Sequence, residues 1–218
     1  MKLRAVAFDI DGTLYDNAIM HRRSIWFALR NWRVLNAFRR VRHELRLIRP
    51  IENFPRMQAE LLAGELKTTP ERAQEIIQQL FYDTWEQVLH RVPLCDGVRE
   101  TIDSFRSAGL KLAVASDFPV TRKLGILNIE GLWNCEISTE AVGYLKPNPE
   151  PFRALLDCLD EPAESVLYVG NSYRYDVEGA RNVGMPTAHY TRRARPDSVA
   201  DLSFSNYKIL RDWVLTKV

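Results

Sequence analysis

The chain has 218 residues, 46% of them hydrophobic and 27% charged, with a formal net charge of +2, a composition that excludes a disordered tail and fits an ordinary globular protein. Cys95, Cys135 and Cys158 are odd in number, far apart and without a C-x-x-C pair, so neither a disulfide framework nor a thiolate zinc site is expected, and reduced thiols are the default. The apolar run ahead of Asp9 is too brief for a signal peptide or a membrane span, which predicts a cytoplasmic protein with no membrane partner.

Residues 3–8 (LRAVAF) read as a buried strand that stops at the acidic turn DIDGTLYD. From about Ala18 to Ile48, apolar residues recur in steps of three or four: Ile25, Leu29, Trp32, Leu35, Phe38, Val41, Leu45 and Ile48. That period predicts one long amphipathic helix whose stripe is the core of a small bundle. The same region is strongly basic, because His21 to Arg56 holds ten arginines against Glu44 and Glu52, a local balance of about +8 that leaves roughly −6 for the rest. Such a field attracts phosphates, nucleic acid or acidic partners without choosing among them. Further helices are expected near 56–63 and from Pro70 through Leu89, so residues 17–92 read as almost purely helical.

After Pro93 helical and strand-like segments alternate. Helices are expected over 96–108, 119–127, 149–159, 176–183 and 206–216, and strands over LKLAVASD (110–117), CEIST (135–139), SVLYVGN (165–171) and PTAHY (186–190). This alternation predicts an α/β fold, a Rossmann-like parallel sheet whose ligands sit beyond the carboxyl ends of the strands. The expected organisation is a catalytic core of 1–16 and 93–218 with an all-helical domain, 17–92, inserted into it.

Asp-x-Asp-Gly at 9–12 is good turn chemistry on its own. Its company points elsewhere: Ser116 and Asp117 end a second strand, Asn171 ends a third with Asp176 beyond it, and Lys146 lies in the proline-rich loop GYLKPNPEPF. These groups would converge on one edge of one sheet.

DIDGT at 9–13, ASD at 115–117, KP at 146–147 and GNSYRYD at 170–176 resemble, in order and spacing, the four motifs of the haloacid dehalogenase superfamily, in particular its phosphatase-like members with a helical cap. The resemblance implies Mg²⁺ dependence and hydrolysis of a small phosphorylated metabolite through an aspartyl-phosphate. On it, Asp9 is the nucleophile and a metal ligand. Asp11 is the general acid and base and ligates the metal through its carbonyl. Ser116 and Asp117 bind phosphate, Lys146 supplies positive charge to nucleophile and phosphoryl group, and Asn171 and Asp176 complete the metal site. Asn171 departs from the usual pattern, since family phosphatases commonly carry an acid there, and an amide oxygen ligates without charge. Helices 17–92 would close over the site, with one or two arginines, Arg22 or Arg23 for example, reaching a second anionic group on the substrate.

Two other functions compete. A metal-independent 2-haloacid dehalogenase would displace halide with an aspartate, although Asp11 has no leaving alcohol to protonate in that chemistry. A catalytically idle module would bind nucleic acid through the basic 21–56 stretch, a reading against which the retention of all four motifs counts.

Overall fold

The stretches AVAF and VLYVG bury every side chain, as strands covered on both faces must. The computed structural model describes residues 2–218, and among these the chain forms one six-stranded sheet. Its strands are β1 (Ala5–Phe8), β2 (Lys111–Ser116), β3 (Cys135–Ser138), β4 (Val166–Gly170), β5 (Thr187–Tyr190) and β6 (Leu202–Phe204), in the spatial order β3-β2-β1-β4-β5-β6. All pairings are parallel, which makes this the Rossmann-like α/β sheet expected from the alternation. The short strand β6 is the one that sequence reading did not anticipate, because three residues carry no periodic signal.

Side chains alternate across β1. Val6 and Phe8 join a core with Ile102, Phe105, Val114, Leu210 and Val214. Ala5 and Ala7 face the other way, into a second core with Ala113, Phe152, Leu155 and Tyr168.

Between β1 and β2 the chain is helical, but the expected long helix is three: α1 (Asn17–Arg23), α2 (Ile25–Arg30) and α3 (Trp32–Leu45). Ser24 and Asn31 interrupt it, at φ −101°, ψ 9° and φ −114°, ψ 18°. Their side chains donate back one turn, Ser24 Oγ to the Met20 carbonyl (2.8 Å) and Asn31 Nδ2 to that of Phe27 (2.9 Å), a local competition that bends helices. α4 (Phe54–Leu66) and α5 (Pro70–Ile76) follow, and the chain then coils through Ile77–Thr84 and Val88–Arg91 to the sheet. Phe38, Val41, Leu45, Leu62 and Phe81 form an apolar cluster of their own, joined from the sheet side by Leu145. The stripe is therefore only half a core. Phe38, Val41 and Leu45 are buried, whereas Ile25, Leu29 and Trp32 face solvent.

The thiols also depart from expectation. Cys135 and Cys158 are disulfide-bonded, and only Cys95 is free. Packing of β3 against the helix α6 (Pro149–Leu159) brings their Cα atoms to 6.0 Å, within bonding range, although 23 residues separate them. Spacing along the chain carries no trace of this approach.

Candidate active site

β1 lies between β2 and β4, so the strand order reverses beside it and a crevice opens beyond its carboxyl end. Asp9 follows β1 directly, and its N–H donates to the Val169 carbonyl at 2.8 Å. Ser116 ends β2, and Asn171 and Asp176 follow β4. Three segments remote in sequence thus meet at one rim, and Lys146 joins them from the loop ahead of α6.

The Asp9 carboxylate is 7% exposed and fixed at both oxygens. Oδ1 accepts from Lys146 Nζ (2.7 Å) and Oδ2 from Thr13 Oγ1 (2.8 Å). The same ammonium donates to Asp176 Oδ1 at 2.6 Å and to the Tyr168 hydroxyl at 3.2 Å. Burial pushes the Asp9 carboxyl up to about 7, with Lys146 opposing the rise and Asp176 and Asp11 adding to it. For Lys146 burial works against the charged form, but the carboxylates of Asp176 and Asp9 outweigh it and hold the ammonium well above its usual range.

Asp11 is differently placed. Its side chain keeps 27% of its surface exposed. It accepts from Tyr15 Oη (2.5 Å), Ser116 Oγ (2.6 Å) and Lys123 Nζ (2.5 and 2.7 Å). Burial raises its carboxyl, yet the Lys123 ammonium and these hydrogen bonds prevail and leave it below the usual carboxylate range. Two carboxylates two residues apart are thereby driven in opposite directions, Asp9 toward its protonated form and Asp11 toward its ionised one.

Gly12 directly follows Asp11 at φ +90°, and a Cβ there would lie 2.5 Å from Asn171 Nδ2. A side chain would strain the backbone and push Asn171 off the loop. Asn171 Oδ1 in turn lies 3.4 Å from Thr13 Oγ1.

Asp117 does not face the crevice as a free group. Its carboxylate accepts from Arg46 Nη2 (2.5 Å), Thr139 Oγ1 (2.8 Å) and the Lys146 N–H (3.1 Å). An oxygen pair saturated by donors, and itself anionic, cannot hold a phosphate, so only the backbone of Asp117 is suited to that task. Arg46 also donates to the Lys146 carbonyl at 2.7 Å. Arg42, buried beside it, reaches Gln58 (3.0 Å), Glu140 and the Asp117 carbonyl, and stacks 4.5 Å from the Phe118 ring centre. These two arginines fasten the end of α3 to the loop that carries Lys146 and to Asp117.

A cavity of about 1000 Å³ spans the gap between sheet and helices, with Asp9, Lys146 and Asn171 on its floor and Arg39, Arg42 and His43 on the helical wall. Arg22 and Arg23 are exposed and outside its lining. The arginines that reach it are one to two dozen residues further on, where α3 turns its basic face inward. A smaller cavity of about 220 Å³ adjoins it at Asp11, walled by Tyr15, Phe81, Trp85, Leu89 and Phe118. Lys123 was not singled out by sequence reading: it stands 112 residues from the carboxylate it pairs with, in a helix whose sequence shows only amphipathicity.

The haloacid dehalogenase-like hydrolase family matches residues 3–184, and the chain belongs to that family of enzymes. It is 27% identical over 198 residues to the phosphoglycolate phosphatase of Aquifex aeolicus, an alignment covering 85% of this chain and 84% of the relative. Among solved structures it resembles a 2-haloacid dehalogenase from Pseudomonas syringae (TM-score 0.71, 21% identity, 98% of each chain). It also resembles a phosphatase of this family from Thermococcus onnurineus (TM-score 0.65, 20% identity, 97% of this chain and 98% of the other). At such identities the two structures speak for the fold alone.

Proposed function

We propose that the chain is a Mg²⁺-dependent phosphatase that hydrolyses a small phosphate monoester through an aspartyl-phosphate on Asp9, with helices 17–92 as its cap. The observation that carries this reading is the pairing of a buried, doubly anchored Asp9 with a second carboxylate, Asp11, open to the cavity two residues on. Nucleophile and proton carrier are then separate groups.

The donor set fits a hard cation. Asp9 Oδ2 and the Asn171 amide oxygen both lie against Thr13 Oγ1, and the Asp11 carbonyl, which accepts from Asn17 Nδ2 at 3.3 Å, adds a third oxygen from the same loop. Asp176 fits less directly, since Lys146 takes one of its oxygens and the Ser172 N–H the other at 2.9 Å; its part is to hold Lys146. A bound divalent ion would offset the repulsion between the Asp9 carboxylate and the phosphoryl oxygens.

The residues of the chain then divide the work. Lys146 and Thr13 hold Asp9 so that one oxygen faces the phosphorus, and the Asp9–P bond forms as the bond to the leaving oxygen breaks. Asp11 takes up a proton from solvent as it leaves the Lys123 pair on substrate binding, and passes that proton to the leaving oxygen. The resulting carboxylate, the form Lys123 favours, takes a proton from the water that attacks the phosphoenzyme and releases phosphate. Ser116 Oγ and the backbone at Asp117 and Phe118 orient the phosphoryl oxygens. Closure by Arg42 and Arg46 excludes bulk water.

The test is phosphate release from p-nitrophenyl phosphate: turnover with Mg²⁺ that EDTA abolishes supports the reading. Halide release from 2-chloropropionate that ignores EDTA transfers the chain to the dehalogenase chemistry. A second expectation concerns protons. Because the folded Asp9 carboxyl sits near 7 and its ordinary value is 3.8, its contribution to stability is fully present below that ordinary value and is lost as pH rises through about 7. Mg²⁺ competes with the proton at Asp9, so the rise in thermal midpoint on adding Mg²⁺ should be larger at about pH 8 than at about pH 6. Equal rises at both pH values, measured by differential scanning fluorimetry, would remove Asp9 from the metal site.

A further inference from the structure

Ile25, Leu29 and Trp32 share one helical face at spacings of four and three, and such a stripe ordinarily turns inward. Here it turns outward: Ile25 is 52%, Leu29 61% and Trp32 56% exposed, and Trp26 beside them is 82% exposed. Ile25, Trp26 and Leu29 stand on α2, whose first bond is Ala28 N–H to the Ser24 carbonyl (2.8 Å), and Trp32 opens α3 just past the break at Asn31. Arg22, Arg23, Arg30 and Arg33 flank them, all exposed, and the Arg33 guanidinium lies 5.5 Å from the Trp32 ring centre. No Asp or Glu occurs between Asn17 and His43.

We propose that this face docks the protein on the surface of an anionic lipid bilayer, with Trp26, Leu29 and Trp32 entering the headgroup boundary and Arg22, Arg23, Arg30 and Arg33 meeting lipid phosphates. An interfacial helix needs a Trp- and Leu-bearing face bordered by arginine, and no pocket on its partner. Tryptophan suits the boundary because its ring is apolar and its N–H is not. Surface docking asks no helix to cross the bilayer, and among the described residues none is long and apolar enough to do so. A second copy fits less well. A twofold contact here would set each arginine near its own equivalent with no acid in the segment to separate them, and four side chains fall short of the roughly 20–30 residues a side of a stable interface. Nucleic acid would use the arginines and the rings but leave Ile25 and Leu29 idle. Ile25 also lines the wide cavity, so a docked molecule holds its cavity mouth at the membrane surface.

Co-sedimentation of the full chain with phosphatidylcholine vesicles, with and without phosphatidylserine, tests the proposal. The protein should pellet with the phosphatidylserine vesicles, less so as salt rises, and its tryptophan emission should shift to the blue. Trp26→Glu combined with Leu29→Glu, both outside the two cavities, should weaken binding more than about tenfold with an unchanged unfolding midpoint. Each of Arg22, Arg23, Arg30 and Arg33 replaced by glutamine should weaken it about fivefold at low salt. The proposal fails if the parent stays in the supernatant with both vesicles, or if the double variant pellets as the parent does. It fails equally if the face proves to be taken by a dimer seen in sedimentation velocity, or by RNA in a gel shift, with no vesicle binding.

Discussion

Asp9→Asn should lower phosphate release from p-nitrophenyl phosphate by roughly 10⁴–10⁶-fold, the scale on which loss of a nucleophile acts. The variant keeps an oxygen that can accept from Lys146 and Thr13, so it should fold as the parent does. That separates chemistry from structure: acid-quenched parent retains phosphate covalently, and the variant retains none. Parent-like turnover in Asp9→Asn would remove the nucleophile from the scheme. Asp11→Asn should lose less, about 10²–10⁴-fold, because it removes proton transfer and leaves the attacking group in place.

Lys146→Met carries the second large effect. The ammonium, 4% exposed, stands between Asp9 and Asp176, with 2.7 Å to one and 2.6 Å to the other. Its removal leaves two buried carboxylates with no countercharge, and breaking a buried pair by deleting one partner typically costs about 3–5 kcal/mol. The deficit should depend on pH with a definite sign. Without Lys146, which opposes the rise, the Asp9 carboxyl favours the protonated form still more strongly in the folded state than in the unfolded one. Stability is then retained at low pH and falls as pH rises, so urea denaturation should show a smaller deficit at about pH 5 than at about pH 8. A deficit that does not change with pH would mean that Lys146 contributes packing rather than charge. Activity should fall at least about 10²-fold at neutral pH.

Much of the fold was legible because its signals are local. LRAVAF, LKLAVAS and SVLYVGN are short apolar runs ended by polar turns, and a parallel sheet writes its strands in that way. Most candidate site residues were legible for the same reason: Asp9, Asp11, Ser116, Asp117 and Asn171 sit within a few residues of a strand end, and Lys146 stands out in a proline-rich loop. What escaped depends on long-range packing. Lys123 reaches Asp11 only because the helix Thr121–Ile126 folds back over the end of β1. Arg42 and Arg46 emerge from ten similar arginines only once α3 has docked on Asp117 and Glu140. Periodicity named a face for Ile25, Leu29 and Trp32, but it does not say whether another element arrives to cover it, and here none does.

The bond between Cys135 and Cys158 falls at a particular place. β3 is the outermost strand on its side of the sheet, and its free backbone groups are a template on which a stranger's strand could be added. With α6 riveted to it, that margin cannot peel away from its covering helix, so one face of the outer strand stays buried even where its edge is open.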